Sequence, residues 1–125
     1  MRIIIQNGSG KPIYDQITDQ IKNLVLKGEL LEGEQLPSIR NLAKDLQISV
    51  ITTKRAYEEL EREGFIETVA GKGSFIAVQD KELLREKKLQ IIEEKLQSAV
   101  VEGKQLGLTI KELTEILTIL YGEVE

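Results

Sequence analysis

The 125-residue chain contains no cysteine, no histidine and no tryptophan, and each absence closes off chemistry. Without cysteine there are neither disulfides nor thiolate metal sites. Without histidine, the commonest general base and transition-metal ligand is missing. A hydrolase triad or a zinc site is therefore nearly excluded, and neither a nucleophile–base pair nor a phosphate-binding glycine loop is visible. The expectation is a chain that is not an enzyme and that carries no cofactor and no metal. Long apolar runs are also lacking. Ile3, Ile4 and Ile5 are too short a run for a signal peptide, and no stretch approaches membrane-spanning length, so a cytoplasmic protein without membrane contact is expected.

Proline occurs only twice, and both positions mark a helix start. Pro37 cannot donate a backbone hydrogen bond and holds Leu36 extended, while Ser38 can accept a bond from the first helical turn. Ile39, Leu42, Ala43 and Leu46 then follow at offsets of three, four and seven, leaving Arg40, Asn41, Lys44 and Asp45 on the opposite face. Gln47, Ile48 and Ser49 interrupt this pattern, with Ile48 filling a corner between helices and Ser49 placed to cap the next one. In that second helix Thr53, Ala56, Tyr57 and Leu60 share one face, and Ile51, Lys54, Arg55 and Glu58 the other. Gly64 ends it. Residues 65–69 and 74–78 are rich in β-branched and aromatic side chains and flank Ala70, Gly71, Lys72 and Gly73, which predicts a hairpin with a lysine between two glycines at its tip.

The segments LPSIR, ISVITTKRAYEELEREGFIE and GKGSFI, preceded by KPIYDQITDQIKNLVLKGELLEGEQLPS, resemble the GntR family of bacterial transcription regulators over roughly residues 10–78. The short tail resembles the YtrA-like branch of that family. The resemblance implies a mainly α fold with a small β-hairpin wing: a winged helix-turn-helix DNA-binding domain in residues 1–78, then a two-helix dimerisation hairpin in residues 79–125. It implies a dimeric repressor that binds a double-stranded, pseudo-palindromic DNA operator and controls its own operon and neighbouring transporter genes. Carried over by position, Arg40 touches the DNA backbone, Thr52 lies near phosphate, Lys54 makes a further contact and Gly73 belongs to the minor-groove wing. Ser49, Arg55 and Lys72 join them through cap, charge and place at the tip. Val50 departs from the pattern, because many members carry a base-reading arginine there. Val50 and Ile51 would instead contact thymine methyl groups and favour A·T steps.

The net charge of -4 is unusual for a DNA binder, but its distribution is informative. Residues 1–78 carry 10 Lys+Arg against 11 Asp+Glu, and residues 79–125 carry 7 against 10, so most of the excess acid lies in the tail. Taken alone, Lys54 and Arg55 read as solvated cations paired with Glu58 and Glu59. Joined to the turn, the cap and the wing, they favour DNA contact over the alternative, a winged-helix module used for protein interaction.

Two helical regions flank this unit. Upstream, Pro12 suits a first turn and Ile13, Ile17, Ile21 and Leu24 make a stripe ending near Gly28. The Ile3 to Ile5 segment reads equally as a strand or as a contact with a partner subunit. Downstream, residues 80–103 have strong helical propensity with Leu89, Ile92, Leu96 and Ala99 in a stripe, and Gly103 and Gly107 are expected to break the run. Thr109 and Glu112 form a capping-box pattern before Ile110, Leu113, Leu117 and Leu120. So much apolar surface predicts a homodimer through residues 79–125. Tyr14, Tyr57 and Tyr121 are expected to pack, and the sequence leaves any small-molecule effector unknown.

Overall fold

A computed structural model describes residues 1–124. The elements run α1 (Ile13–Leu26), α2 (Ile39–Leu46), α3 (Val50–Arg62), β1 (Ile66–Val69), β2 (Gly73–Ile76), α4 (Lys81–Gln105) and α5 (Ile110–Glu123). Chain contacts divide it after Leu84 into two compact units. The fold is mostly helical with one two-stranded antiparallel sheet, as the sequence predicts.

In the first unit α3 packs against α1, α2 and β1. The predicted inward face of α3 is the buried one, with Thr53, Ala56, Tyr57 and Leu60 all in the core. Ile17 and Ile21 of α1 meet them there, together with Val25, Leu36, Leu42, Phe65, Ile66 and Ile76. Each fully buried Leu or Ile stabilises by roughly 1.5–3 kcal/mol relative to exposure, so these few residues hold the three helices in one arrangement. Tyr57 brings a polar end into this core, and its hydroxyl donates to the Pro37 carbonyl at 2.7 Å. Burial pushes its ionisation above the ordinary phenol range.

The wing differs from the sequence expectation in its limits. Ile66 pairs with Ile76 and Val69 with Gly73, so Gly73 belongs to β2 and the tip is Ala70, Gly71 and Lys72. Phe65, Ala77 and Val78 lie outside the strands because the antiparallel register ends at the Ile66–Ile76 pair. The loop before α2 supplies a third edge that periodicity did not reveal. Gly33 N donates to Ile76 O, Ile76 N to Glu34 O and Leu36 N to Ser74 O, with Gln35 bridging Phe75.

The N-terminal isoleucines do not form the strand that the sequence left open. They run as an irregular extended segment against α1, with Ile3 buried in the unit's own core. Two glutamines of α1 take the place of a neighbouring strand. Gln20 accepts from Ile4 N and donates to Ile4 O, and Gln16 does the same for Gln6. The paired backbone groups are satisfied without a sheet.

In the second unit Gly103 does not break the helix, contrary to the sequence reading. It lies inside α4 and is the residue of that helix that is buried, because Leu113 of α5 occupies the space a side chain would take. The break falls at Gly107, with φ at 78°, where Leu108 N reaches Gly103 O and Gly107 N reaches Lys104 O in a Schellman closure. The capping box forms as expected. Thr109 Oγ1 accepts from Glu112 N and the Glu112 carboxylate accepts from Thr109 N. Tyr121, expected to pack, is 83% exposed because α5 buries no residue within the chain.

Candidate nucleic-acid interface

Two serine caps and a left-handed corner build the helix-turn-helix. Ser38 Oγ accepts from Asn41 N at 3.1 Å and Ser49 Oγ from Thr52 N at 3.0 Å, so α2 and α3 each begin where the sequence places them. Gln47 makes the corner with φ at 56°, a conformation that costs a residue bearing a Cβ about 1–2 kcal/mol. The cost is offset locally, since Gln47 N bonds Lys44 O and Ile48 N bonds Ala43 O while Ile48 packs against the core. This role of Gln47 had no sequence signal, because glycine is the usual residue at such a corner.

The first turn of α3 presents an unusual combination of apolar and cationic groups. Val50 is 47% exposed and Ile51 81%, large values for residues of their hydrophobicity. Lys54 is exposed beside them, and its tie to Glu58 is loose at 3.9 Å. An exposed pair of this kind contributes only a few tenths of a kcal/mol, so Lys54 is easily released to another anion. Thr52 is half-buried, and its Oγ1 accepts from the Ser49 hydroxyl at 2.8 Å. Its own proton has no acceptor among the described residues. Arg40 and Lys44 are exposed on α2.

Arg55 is placed differently from its neighbour. Its guanidinium carbon lies 3.8 Å from the centroid of the Tyr14 ring on α1, a cation–π contact that links the two helices. Tyr14 therefore packs, as expected, and its partner is a cation.

The acidic residues of α3 lie towards its far end, and the structure occupies them. Arg62 pairs with Glu59, holding that carboxyl below its usual range and raising the guanidinium. Lys22 pairs with Glu63, and the Thr68 hydroxyl reaches Glu61 at 3.3 Å. The apolar and cationic start of α3 thus precedes its acidic residues, with Glu58 and Glu59 about one turn beyond Lys54 and Arg55.

In the wing, Lys72 N closes the turn onto Val69 O at 2.9 Å, and Lys72 is exposed. Gly73 stands beside it with φ at 117°, a backbone conformation open to glycine. A residue missed by sequence reasoning joins the two: Gln35 donates from Nε2 to the Lys72 carbonyl at 2.9 Å. The predicted site residues therefore fall on three supports. Arg40 stands on α2; Ser49 caps α3, whose first two turns carry Val50, Ile51, Thr52, Lys54 and Arg55; and Lys72 and Gly73 stand at the wing.

Residues 13–76 match the model of the gntR family of bacterial regulatory proteins. The chain is similar to the HTH-type transcriptional repressor YtrA of Bacillus subtilis strain 168, at 38% identity over 98% of this chain and 95% of that protein. It is also similar to the uncharacterized HTH-type transcriptional regulator YhcF of the same strain, at 43% identity over 86% of this chain and 88% of that one. Among solved structures, a transcriptional regulator from Oenococcus oeni superposes with a TM-score of 0.77 at 29% identity, covering 97% of each chain.

Proposed function

Because the chain belongs to the gntR family of bacterial regulatory proteins, we propose that it is a DNA-binding transcription regulator acting as a homodimeric repressor on a pseudo-palindromic operator. The observation that carries this is the exposed start of α3, whose first two turns hold Val50, Ile51 and Lys54 clear of the core. On this reading Lys54 and Arg40 meet phosphates, the Thr52 hydroxyl donates to a phosphate oxygen, and Val50 and Ile51 read thymine methyl groups. Lys72 and Gly73 follow the adjacent minor groove, Arg55 sits at the margin braced by Tyr14, and Ser49 keeps the helix start in shape. The reader comprises residues 1–78, and residues 79–125 pair two copies.

The tail supports a second copy as its cover. Leu89, Ile92, Leu96, Leu117 and Leu120 are each about half exposed, and Gly103 is the buried residue of its two helices. A second copy would bury these stripes and place two recognition helices one DNA turn apart, ~34 Å. Doubling the contacts also compensates for a reader that carries 10 Lys+Arg against 11 Asp+Glu.

The test is selection of bound DNA from a random pool by the full chain, followed by anisotropy titrations at several salt concentrations. The expected product is an inverted repeat with T-rich half-sites. Lys54→Ala and Arg40→Ala should each weaken binding and flatten the salt dependence without changing the circular dichroism. Unchanged affinity in both variants sinks the DNA-contact assignment. For the dimer, Ile92→Glu combined with Leu96→Glu should give a monomer in sedimentation velocity, and a persistent dimer would place the interface elsewhere.

A further inference from the structure

The geometry points to Gln35 as a positioning residue for DNA binding, a latch that holds the wing tip in place for its groove. This rests on the DNA-reading function proposed above and adds a residue that contacts the wing from outside it.

Gln35 lies in the loop that leads to the Ser38 cap of α2, and its side chain is exposed. Its backbone is already committed through the bridge to Phe75, so the direction of its side chain is set along β2. From there Nε2 reaches the Lys72 carbonyl across a sequence separation of 37 residues. The loop before α2 already bonds β2 at Ser74 and Ile76, but the three-residue tip beyond those bonds is otherwise closed only by its own turn, Lys72 N to Val69 O. The latch instead ties the tip to the start of the helix-turn-helix, so that Lys72 and Arg40 belong to one frame.

Gly73 shows that the latch needs room. A Cβ built at Gly73 would lie 2.8 Å from Gln35 Nε2, inside van der Waals contact, and would push the amide off the Lys72 carbonyl. The glycine thus serves two purposes: it adopts φ of 117°, and it leaves the cleft through which Gln35 passes. An exposed neutral amide that bonds a loop carbonyl contributes little to global stability, about 0.5–1.5 kcal/mol. What it supplies is a fixed direction for Lys72, and preorganisation of that kind lowers the cost of ordering a contact on binding.

The test uses the full chain and the selected operator, with Gln35→Met, Lys72→Ala and the double variant. Methionine keeps the length and leaves the backbone bridge intact but cannot donate. Two readouts are taken: amide order parameters of Gly71 and Lys72 in the free protein, and the slope of log affinity against log salt. Lys72→Ala should reduce that slope by about 0.9 per half-site, the signature of one lost phosphate contact. Gln35→Met should lower the tip order from rigid values near ~0.85 towards ~0.6. It should also weaken operator binding, and the double variant should bind no more weakly than Lys72→Ala alone. Unchanged tip order, or losses that add in the double variant, would overturn the latch. If Lys72→Ala leaves affinity and slope unchanged, the wing contact itself fails, and the positioning role falls with its premise whatever the order parameters show.

Discussion

Gly103→Ala sets two opposing effects against each other at one atom. Alanine is favoured over glycine inside a helix by about 1 kcal/mol, and Gly103 lies within α4, so propensity alone predicts stabilisation. The new Cβ, however, would stand 2.9 Å from Leu113 Cδ2, 3.2 Å from Cδ1 and 3.4 Å from Cγ. Favourable carbon contacts begin near ~3.5 Å, so the whole end of Leu113 must turn or α5 must move outwards. Overpacking of this kind typically costs about 1–3 kcal/mol, so the clash wins and the net effect is a loss of up to ~2 kcal/mol. Gly122 of α5 provides the control, because a Cβ there meets nothing within 4 Å. Gly122→Ala should stabilise by at most ~1 kcal/mol. The assay is urea unfolding of the full chain at one fixed protein concentration, since pairing of copies would make stability concentration-dependent. Adding Leu113→Ala should convert Gly103→Ala from destabilising to stabilising by removing the obstacle. If Gly103→Ala alone stabilises as much as Gly122→Ala, the close approach of α4 and α5 at this point is wrong.

Tyr57→Phe should cost about 0.5–1.5 kcal/mol at neutral pH by leaving the Pro37 carbonyl without its donor. Burial raises the Tyr57 ionisation in the folded state above its ordinary 10.0, so its contribution is whole below pH 10 and is lost as pH rises towards the folded value. The wild type should therefore lose stability more steeply than Tyr57→Phe above pH 10 in denaturant titrations, and parallel curves would refute the assignment. Val50→Arg places a guanidinium at the first residue of α3, where the side chain has room, and should shift selected sites towards guanine at that step by about 1–3 kcal/mol. An unchanged preference would mean that Val50 does not face a base. Tyr14→Ala and Arg55→Ala should show a coupling of about 0.5–1 kcal/mol in a double-mutant cycle on unfolding, and strict additivity would dismiss the cation–π contact.

The parts legible in the sequence are those fixed by local rules. The Ser38, Ser49 and Thr109 caps each mark a helix start through one side chain and one nearby amide. The buried face of α3 follows from helical spacing alone, because Thr53, Ala56, Tyr57 and Leu60 can meet a core only together. Family resemblance and structure agree over the winged region for the same reason. The cations proposed for DNA are legible as exposed, since Arg40 and Lys54 fall on faces opposite the buried stripes and Lys72 falls at the hairpin tip.

Other features depend on partners distant in sequence, and there the sequence reading erred or was silent. Gly103 looks like a helix breaker by composition, yet it stays helical because Leu113 fills the space that a side chain would occupy. Ile3 to Ile5 read equally as a strand or as a partner contact, and within the chain Gln16 and Gln20 satisfy the backbone where a neighbouring strand would have. Arg55 and Lys54 are adjacent and alike in sequence, but the Tyr14 ring engages one and not the other. Gln35 carries no motif at all until the wing folds back to bring the Lys72 carbonyl to it. By itself the sequence determined where helices start, which faces are apolar and which family the chain resembles, because those depend on residues a turn or two apart. Only the tertiary structure decided which glycine ends a helix, which cation is braced and what steadies the wing, because each is settled by an atom dozens of residues away or on a facing helix.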